Sequence, residues 1–357
     1  MKTVFQGLAA VVIAAIAYLV LWPVPINPVA FTVPEDAGYT GVFAPNDRLA
    51  ALQFVDLDGR SGPEDAEVGP DGLIYAAVHE GEIIRIEQDG SITSFAQTDG
   101  RPLGIEFGPD GTLYVADAYR GLLAVDQAGV VTLLTDKVDG TPILYADDLD
   151  VTAQGVVYFS DASTRFGAEN NGGTLPASVL DLMEHSANGR VLKYDTATGE
   201  TTVFATGLTF ANGVALNPTE DAVFVVETGD YRIWRMPLNG AQGEVILDNL
   251  PGFPDNINPA PDGTFWVGLV SPRNALVDKL SNRPFWRGVI MRLPDAVRPA
   301  PTRYGFVARI SEGGEILETL QDPSGAYALT TGAVTLPDGR ILVTSLTEQK
   351  LGILNSQ

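Results

Sequence analysis

Residues 100–122 read GRPLGIEFGPDGTLYVADAYRGL, and this stretch shows the unit from which the chain is built. A Gly-Pro-Asp-Gly turn at Gly108 is followed by TLYVAD, a β-branched and aromatic run, then by a polar turn and a second strand, GLLAV. Pro-Asp-Gly suits a tight turn between short strands. The unit recurs, with turns GPDG at Gly69, GPDG at Gly108, TAQG at Thr152, NPTE at Asn217, APDG at Ala260 and LPDG at Leu336. The strands after them are LIYAAV, TLYVAD, VVYFSD, AVFVVE, TFWVGL and RILVTS. Six such units predict an all-β chain, a six-bladed β-propeller rather than a sandwich. Helical periodicity is absent beyond the N-terminus, which excludes a helical solenoid. The run Leu49–Val55 precedes the first full unit and is expected to complete the last blade, closing the ring and removing open sheet edges.

Of the 357 residues, 45 are acidic and 22 basic, a formal net charge of −23. That charge opposes binding to phosphate backbones, so nucleic acid is not an expected partner, and it attracts cations. With no cysteine there is no disulfide framework, Cys-ligated zinc or thiol nucleophile.

Val4–Trp22 is almost wholly apolar, long enough for one membrane-spanning helix, and preceded by Lys2. Two readings compete, an uncleaved signal anchor and a cleaved signal peptide. The only Ala-x-Ala near the end, Ala15–Ala17, lies inside the apolar run, and Trp22-Pro23 forms an interfacial stop, which favours the anchor. The expected organisation is residues 1–22 as signal anchor, 23–45 as a Pro-rich extended stalk and 46–357 as propeller. The Lys2 flank places the propeller on the periplasmic or extracytoplasmic side of a single-pass membrane protein.

Aligning the six units on their turns exposes the candidate site. Seven residues before the turn Asp, or its equivalent, stand Glu64, Leu103, Asp147, Asn212, Asp255 and Thr331. Two places further on every blade is apolar, from Ala66 to Ala333, so a buried innermost strand begins there and the ring faces the axis at the channel mouth. Three carboxylates and an amide crowded together repel one another unless protonated or bound to a cation. The donors are all oxygen, which suits Ca2+, tolerates Mg2+ or Mn2+, and argues against zinc or copper. Adjacent Asp65, Asp148 and Asn256 offer further oxygens. Taken singly, each ring residue reads better as a turn cap; four in one register favour a metal site.

Long connections at Ser163–Asn188 and at Ser271–Arg303, the latter with Phe285 and Trp286, read as covers over one channel face or as surface decoration. His79 reads as a surface residue, as does His185 unless its insertion is a lid. Ser160, Asp161 and Ser163 read as turn chemistry. There is no G-x-S-x-G elbow or phosphate-cradling glycine loop.

The segments GRPLGIEFGPDGTLYVADAYRGL, YFSDAS, GRVLKYD, FANGVAL and PGFPDNINPAPDGTFWVGL resemble the strictosidine-synthase-like proteins, from about Gly62 to the C-terminus. The wider superfamily includes senescence marker protein/gluconolactonases and paraoxonases, calcium-dependent esterases and lactonases. The resemblance implies metal ligands at Glu64, Asn212 and Asp255, with Asn256 a further candidate. Two departures limit the transfer. The chain carries Asp147-Asp148 where the family usually has Asn-Asp, and Leu103 where paraoxonases place a catalytic histidine. The last-blade segment Tyr327–Leu336 also lacks the carboxylate that strictosidine synthase uses, which disfavours alkaloid condensation. Three classes remain, in order: a calcium-dependent hydrolase of small hydrophobic esters or lactones, with Asp148 as candidate base; a metal-stabilised binding or scaffold propeller; and a condensing enzyme.

Overall fold

The computed structural model describes residues 2–355; Lys2 enters as backbone only, and Met1, Ser356 and Gln357 lie outside the described residues. The period-2 runs form six four-stranded antiparallel sheets, with the turns where the Pro-Asp-Gly chemistry puts them. The innermost strands are Asp65–Val68, Pro102–Phe107, Ala146–Val151, Ala211–Leu216, Gly252–Pro259 and Thr330–Thr335. Each packs beside the innermost strand of the next blade, and the last packs beside the first. Closure is by Gln53–Asp56, which pairs antiparallel with Lys350–Leu354 as the outer strand of the sixth blade. The closing strand is therefore shorter than Leu49–Val55, because Arg48–Ala51 coils into a 3-10 turn that buries Leu49.

Apolar side chains between adjacent sheets make the core. Phe159, Phe224, Phe265, Phe306 and Trp266 are all nearly inaccessible to solvent, and each such burial contributes roughly 1.5–3 kcal/mol. The Trp266 indole also donates across a blade boundary to the Thr335 hydroxyl at 2.9 Å.

One irregularity recurs. The innermost strands of five blades are bulged, between Pro102 and Ile105, Ala146 and Leu149, Ala211 and Val214, Pro254 and Ile257, and Thr330 and Ala333. A bulge adds an unpaired residue and re-aims the side chains beside it. In each case the bulge holds the ring residue and its successor. The successors alternate around the ring as Asp65, Gly104, Asp148, Gly213, Asn256 and Gly332. The glycines make room for a neighbouring blade: a Cβ on Gly213 would stand 2.6 Å from the Asp255 carbonyl oxygen and 2.6 Å from the Ile257 nitrogen.

Three expectations change. Helices occur beyond the N-terminal α1 (Lys2–Leu21): both insertions carry them, as α2 (Thr174–Glu184), α3 (Ala275–Lys279) and α4 (Pro284–Ile290). Their periodicity is hidden because they are short, 11, 5 and 7 residues. The chain from Pro23 to residue 45 is extended as its prolines require, but it is laid across the propeller instead of standing off as a stalk. Ile26 is buried among α2 and α4 residues, and Val33, Tyr39 and Phe43 pack on the fourth and fifth blades. Finally, Phe285 and Trp286 do not close over the channel; they project from α4, 54% and 52% exposed. Thr3–Leu21 has the length and hydropathy to cross a membrane and buries nothing against the rest of the chain. Every core cluster lies at Val24 or beyond, so residues 23–357 retain the whole core.

Because Gly213 is limited by space and not by backbone angle, Gly213→Ala should lower the thermal midpoint by the equivalent of about 1–3 kcal/mol. Gly313→Ala, whose Cβ would meet only the Ser311 hydroxyl at 3.8 Å, should leave it unchanged. Equal midpoints in the two variants would contradict the tight contact between blades.

Candidate functional site

The ring positions open into one pocket. Glu64, Leu103, Asp147, Asn212 and Asp255 form its floor, while Leu175, Val179, Leu182 and Met183 of α2 make much of its apolar wall. The empty space, open mouth included, is about 1100 Å³, ample for a small organic ligand. Thr331, the sixth ring residue, is turned out of it: its hydroxyl donates to the Glu64 carbonyl at 2.5 Å.

The four polar floor residues are all buried. Burial pushes Glu64 and Asp147 well above the usual carboxylate range; Asp255 raises both further, and Arg101 opposes the rise in each. Burial lifts Asp255 to about 7 against the hydrogen bond from Asn212. Asn212 spends its amide N–H on Asp255 Oδ1, and Asn256 donates its own to the Glu64 carbonyl at 3.3 Å. The oxygens left over, Asn212 Oδ1, Asn256 Oδ1 and Glu64 Oε2, are buried without hydrogen-bond partners. Each orphaned acceptor costs about 1–3 kcal/mol. Among the described residues no three carboxylate or imidazole groups alone converge to hold a metal. The leftover amide oxygens are what make a donor set with Glu64, Asp147 and Asp255, and an all-oxygen set of acceptors without donors fits a hard cation.

Asp148 is placed differently from its neighbour. Its Oδ2 accepts from Val214 N of the next blade at 2.9 Å and its Oδ1 from Leu149 N at 2.9 Å. It faces the seam between blades, with both oxygens engaged, and stands outside the pocket lining. The role of base expected for it does not fit this geometry. Asp65 has the same task at the boundary between the first and second blades, accepting from Ile105 N at 3.0 Å, and it also accepts from Asn258.

A second acidic tier lies three places beyond the ring, at Glu67, Glu106 and Asp150. Burial raises Glu67 to about 8, Asp150 to about 7 and Glu106 well above its ordinary value. The turn-based register contains this tier, but reading only the first polar level passes over it.

The insertion brings in a residue that sequence reading set on the surface. His185, in a left-handed conformation at the end of α2, lines the pocket. Its Nε2 is 3.2 Å from Asp230 Oδ1, and its ring stacks on Phe31 at 3.4 Å. Burial pushes the Asp230 carboxyl up, but the His185 hydrogen bond and Arg232 hold it below its ordinary value overall. YFSDAS is likewise more than turn chemistry. Asp161 is buried against Arg190, and Ser163 Oγ donates to Asp181 Oδ2 at 2.6 Å, tying α2 to the third blade. His79 is exposed, as expected.

Carboxyls whose folded pKa is raised stabilise the fold fully below their unfolded values near pH 4, and that contribution is lost as pH rises through their folded values. For Asp65 (about 6), Asp255 and Asp150 (about 7) and Glu67 (about 8), the loss spans the range above pH 4 to about 8. Chelator-treated protein should therefore melt at progressively lower temperature across that range. Calcium, competing with protons for the ring, should flatten the fall, and Asp255→Asn should lose the calcium response. A melting curve indifferent to both pH and calcium would remove the site.

Comparison with known proteins supplies the lineage. Residues 41–86 match the family model "Strictosidine synthase-like, N-terminal" and residues 147–241 match "Strictosidine synthase". An adipocyte plasma membrane-associated protein of Salmo salar is 35% identical over 349 residues, covering 90% of this chain and 82% of the relative. Two solved structures share the fold. A gluconolactonase of Xanthomonas campestris superposes with a TM-score of 0.61 at 16% identity, covering 92% of this chain and 96% of that one. A regucalcin of Agrobacterium tumefaciens, described as a calcium-binding protein, gives 0.60 at 18% identity, covering 85% and 94%. Identity that low speaks to the propeller alone, whereas the salmon protein aligns along nearly the whole chain, so this chain belongs to the strictosidine-synthase-like family that includes the adipocyte plasma membrane-associated proteins.

Proposed function

We propose that this protein is a membrane-anchored, calcium-dependent hydrolase of small hydrophobic esters or lactones, with its propeller on the extracytoplasmic side. The observation that carries the reading is the pair of orphaned buried oxygens of Glu64 and Asn212 beside Asp147 and Asp255 on the floor of an apolar-walled pocket, with a third orphaned oxygen on Asn256, whose amide donates to the Glu64 carbonyl. Those five residues would hold the ion. A gluconolactonase and a calcium-binding regucalcin on the same fold make lactone chemistry and calcium the natural first candidates. Magnesium or manganese would satisfy the same donors less well, since calcium tolerates irregular oxygen sets.

Bound there, a divalent cation supplies Lewis-acid polarisation of a carbonyl and stabilises the oxyanion that forms when water adds. The residues of the chain do the rest. His185 takes the place of Asp148 as base: with Nε2–H donated to Asp230, its Nδ1 keeps the lone pair that accepts a proton from water. Asp230 fixes that tautomer and steadies the imidazolium once the proton has moved, while stacking on Phe31 fixes the ring plane. The apolar wall from α2 excludes water from the leaving group and selects apolar acyl or aryl substituents over sugars.

The test is a panel of aryl esters and lactones offered to the protein with calcium or with chelator. Turnover should require calcium. Asp255→Asn should abolish turnover and calcium binding together. His185→Ala should lower kcat by about 10²–10⁴-fold while calcium still raises the melting temperature, and Asp148→Asn should cost stability rather than chemistry. Calcium binding without turnover on any substrate would favour a binding propeller.

A further inference from the structure

We propose that the outer surface of α3 and α4 is a second membrane contact, docking on anionic lipid headgroups beside the anchor; the proposal rests on reading α1 as embedded in the bilayer. The first observation is the absence of slack between anchor and propeller. Trp22, at the end of α1, is only four residues from Ile26, which is 3% exposed. An extended chain covers at most about 14 Å in four residues. The residues after Ile26 are tied down: Asn27 N donates to Glu184 Oε2 at 2.6 Å, Val29 N to the Glu184 carbonyl at 2.8 Å, and Phe31 N to the Ser281 carbonyl at 3.1 Å. Arg287, buried under α4, donates to the Val29 carbonyl, and Arg292 Nε donates to the Trp22 carbonyl at 2.5 Å. The α4 insertion therefore grips the chain at the point where it leaves the membrane.

The second observation is what that surface presents. Phe285 and Trp286 project from α4, with ring centroids 5.3 Å apart, and Leu276 of α3 and Val297 are also exposed. Aromatic side chains of this kind favour the membrane interface. The third is charge. Arg273–Arg303 carries seven basic residues against Asp278 and Asp295 in a chain whose net charge is −23; Arg273 and Arg287 are buried, and Arg298 and Arg303 pair with Asp295 and Glu348, so the cations this surface offers are Lys279, Arg283 and Arg292. Lys279 and Arg283, both exposed, come just before the aromatic pair in sequence. A basic, aromatic island on an acidic body, next to a membrane anchor, matches an anionic bilayer. The pocket is lined by Val277 of α3 and by Pro299–Pro301 from the same insertion, so docking sets its mouth beside the lipid surface, where hydrophobic esters dissolve.

The chain from residue 23 onward, which keeps every core residue, tests this without the anchor. It should co-sediment with phosphatidylglycerol-containing vesicles but not with pure phosphatidylcholine, and lose binding at high salt. Phe285→Ser/Trp286→Ser and Lys279→Glu/Arg283→Glu should each weaken binding by about tenfold or more with melting temperature unchanged. In the full chain, in nanodiscs with brominated acyl chains, Trp286→Phe should relieve part of the tryptophan quenching. No binding at low salt, variants that bind like the parent, or quenching indifferent to Trp286 would overturn the proposal. Neither readout depends on turnover, so loss of the hydrolase reading and loss of this one are separately visible.

Discussion

Acidic oxygen atoms gathered around a narrow axis, out of reach of bulk water, govern this molecule. A propeller must bring one residue per blade to the mouth of its channel, and three of the six here are carboxylates. In a medium of low effective dielectric, like charges at that spacing cannot all persist. Either protons or a cation must accompany the fold, and the orphaned oxygens of Glu64, Asn212 and Asn256 say which solution leaves fewer acceptors unsatisfied. The bulges make this crowding orderly. At Asp147-Asp148 the bulge leaves one side chain in the pocket and the next in the seam, so that one dipeptide serves the site and the assembly of blades. Asp147 and Asp148 are adjacent and chemically identical, yet one lines the pocket and the other accepts from Val214 N and Leu149 N.

That division explains what is legible in the sequence. Pseudo-symmetry makes the ring readable, because six turns at known offsets place equivalent positions on one level, and the apolar residues two places on fix the strand. Glu64, Asp147, Asn212 and Asp255 come out of that register without a structure. Asp148 misleads because sequence adjacency to a ring residue says nothing about direction. The clue is present in the alternation of acid or amide with glycine at the successor positions. It acquires meaning only once Gly104 and Gly213 are seen to face the neighbouring blade.

The parts outside the repeat are less legible for a related reason. No symmetry constrains the insertions, so neither α2 nor the position of His185 is implied by any other blade. Prolines between residues 23 and 34 correctly exclude helix, but extended chain can stand free or lie on a surface, and the choice depends on tertiary partners such as Glu184 and Ser281 that are remote in sequence. Phe285 and Trp286 invite an inward reading because large apolar residues usually point that way. Arg287, next in sequence, is the residue that turns inward instead, and its reach to Val29 holds the helix with its aromatic pair outward.

The departure at Asp147, where the resemblance places an amide, alters the balance between protons and metal more than the identity of the ligands. An amide oxygen offers the same kind of donor at any pH, whereas a buried carboxyl must release its proton before it can contribute a charge. Burial and Asp255 push Asp147 well above its ordinary value. Loading the ring with a cation therefore displaces protons from a third carboxyl as well as from Glu64 and Asp255, which steepens the dependence of affinity on pH. Once loaded, the extra charge strengthens attraction to a divalent ion and reduces the net positive charge it shows to a substrate. Under the proposed hydrolase reading, the substitution would favour retention of the ion over Lewis acidity and place more of the chemical task on a base such as His185.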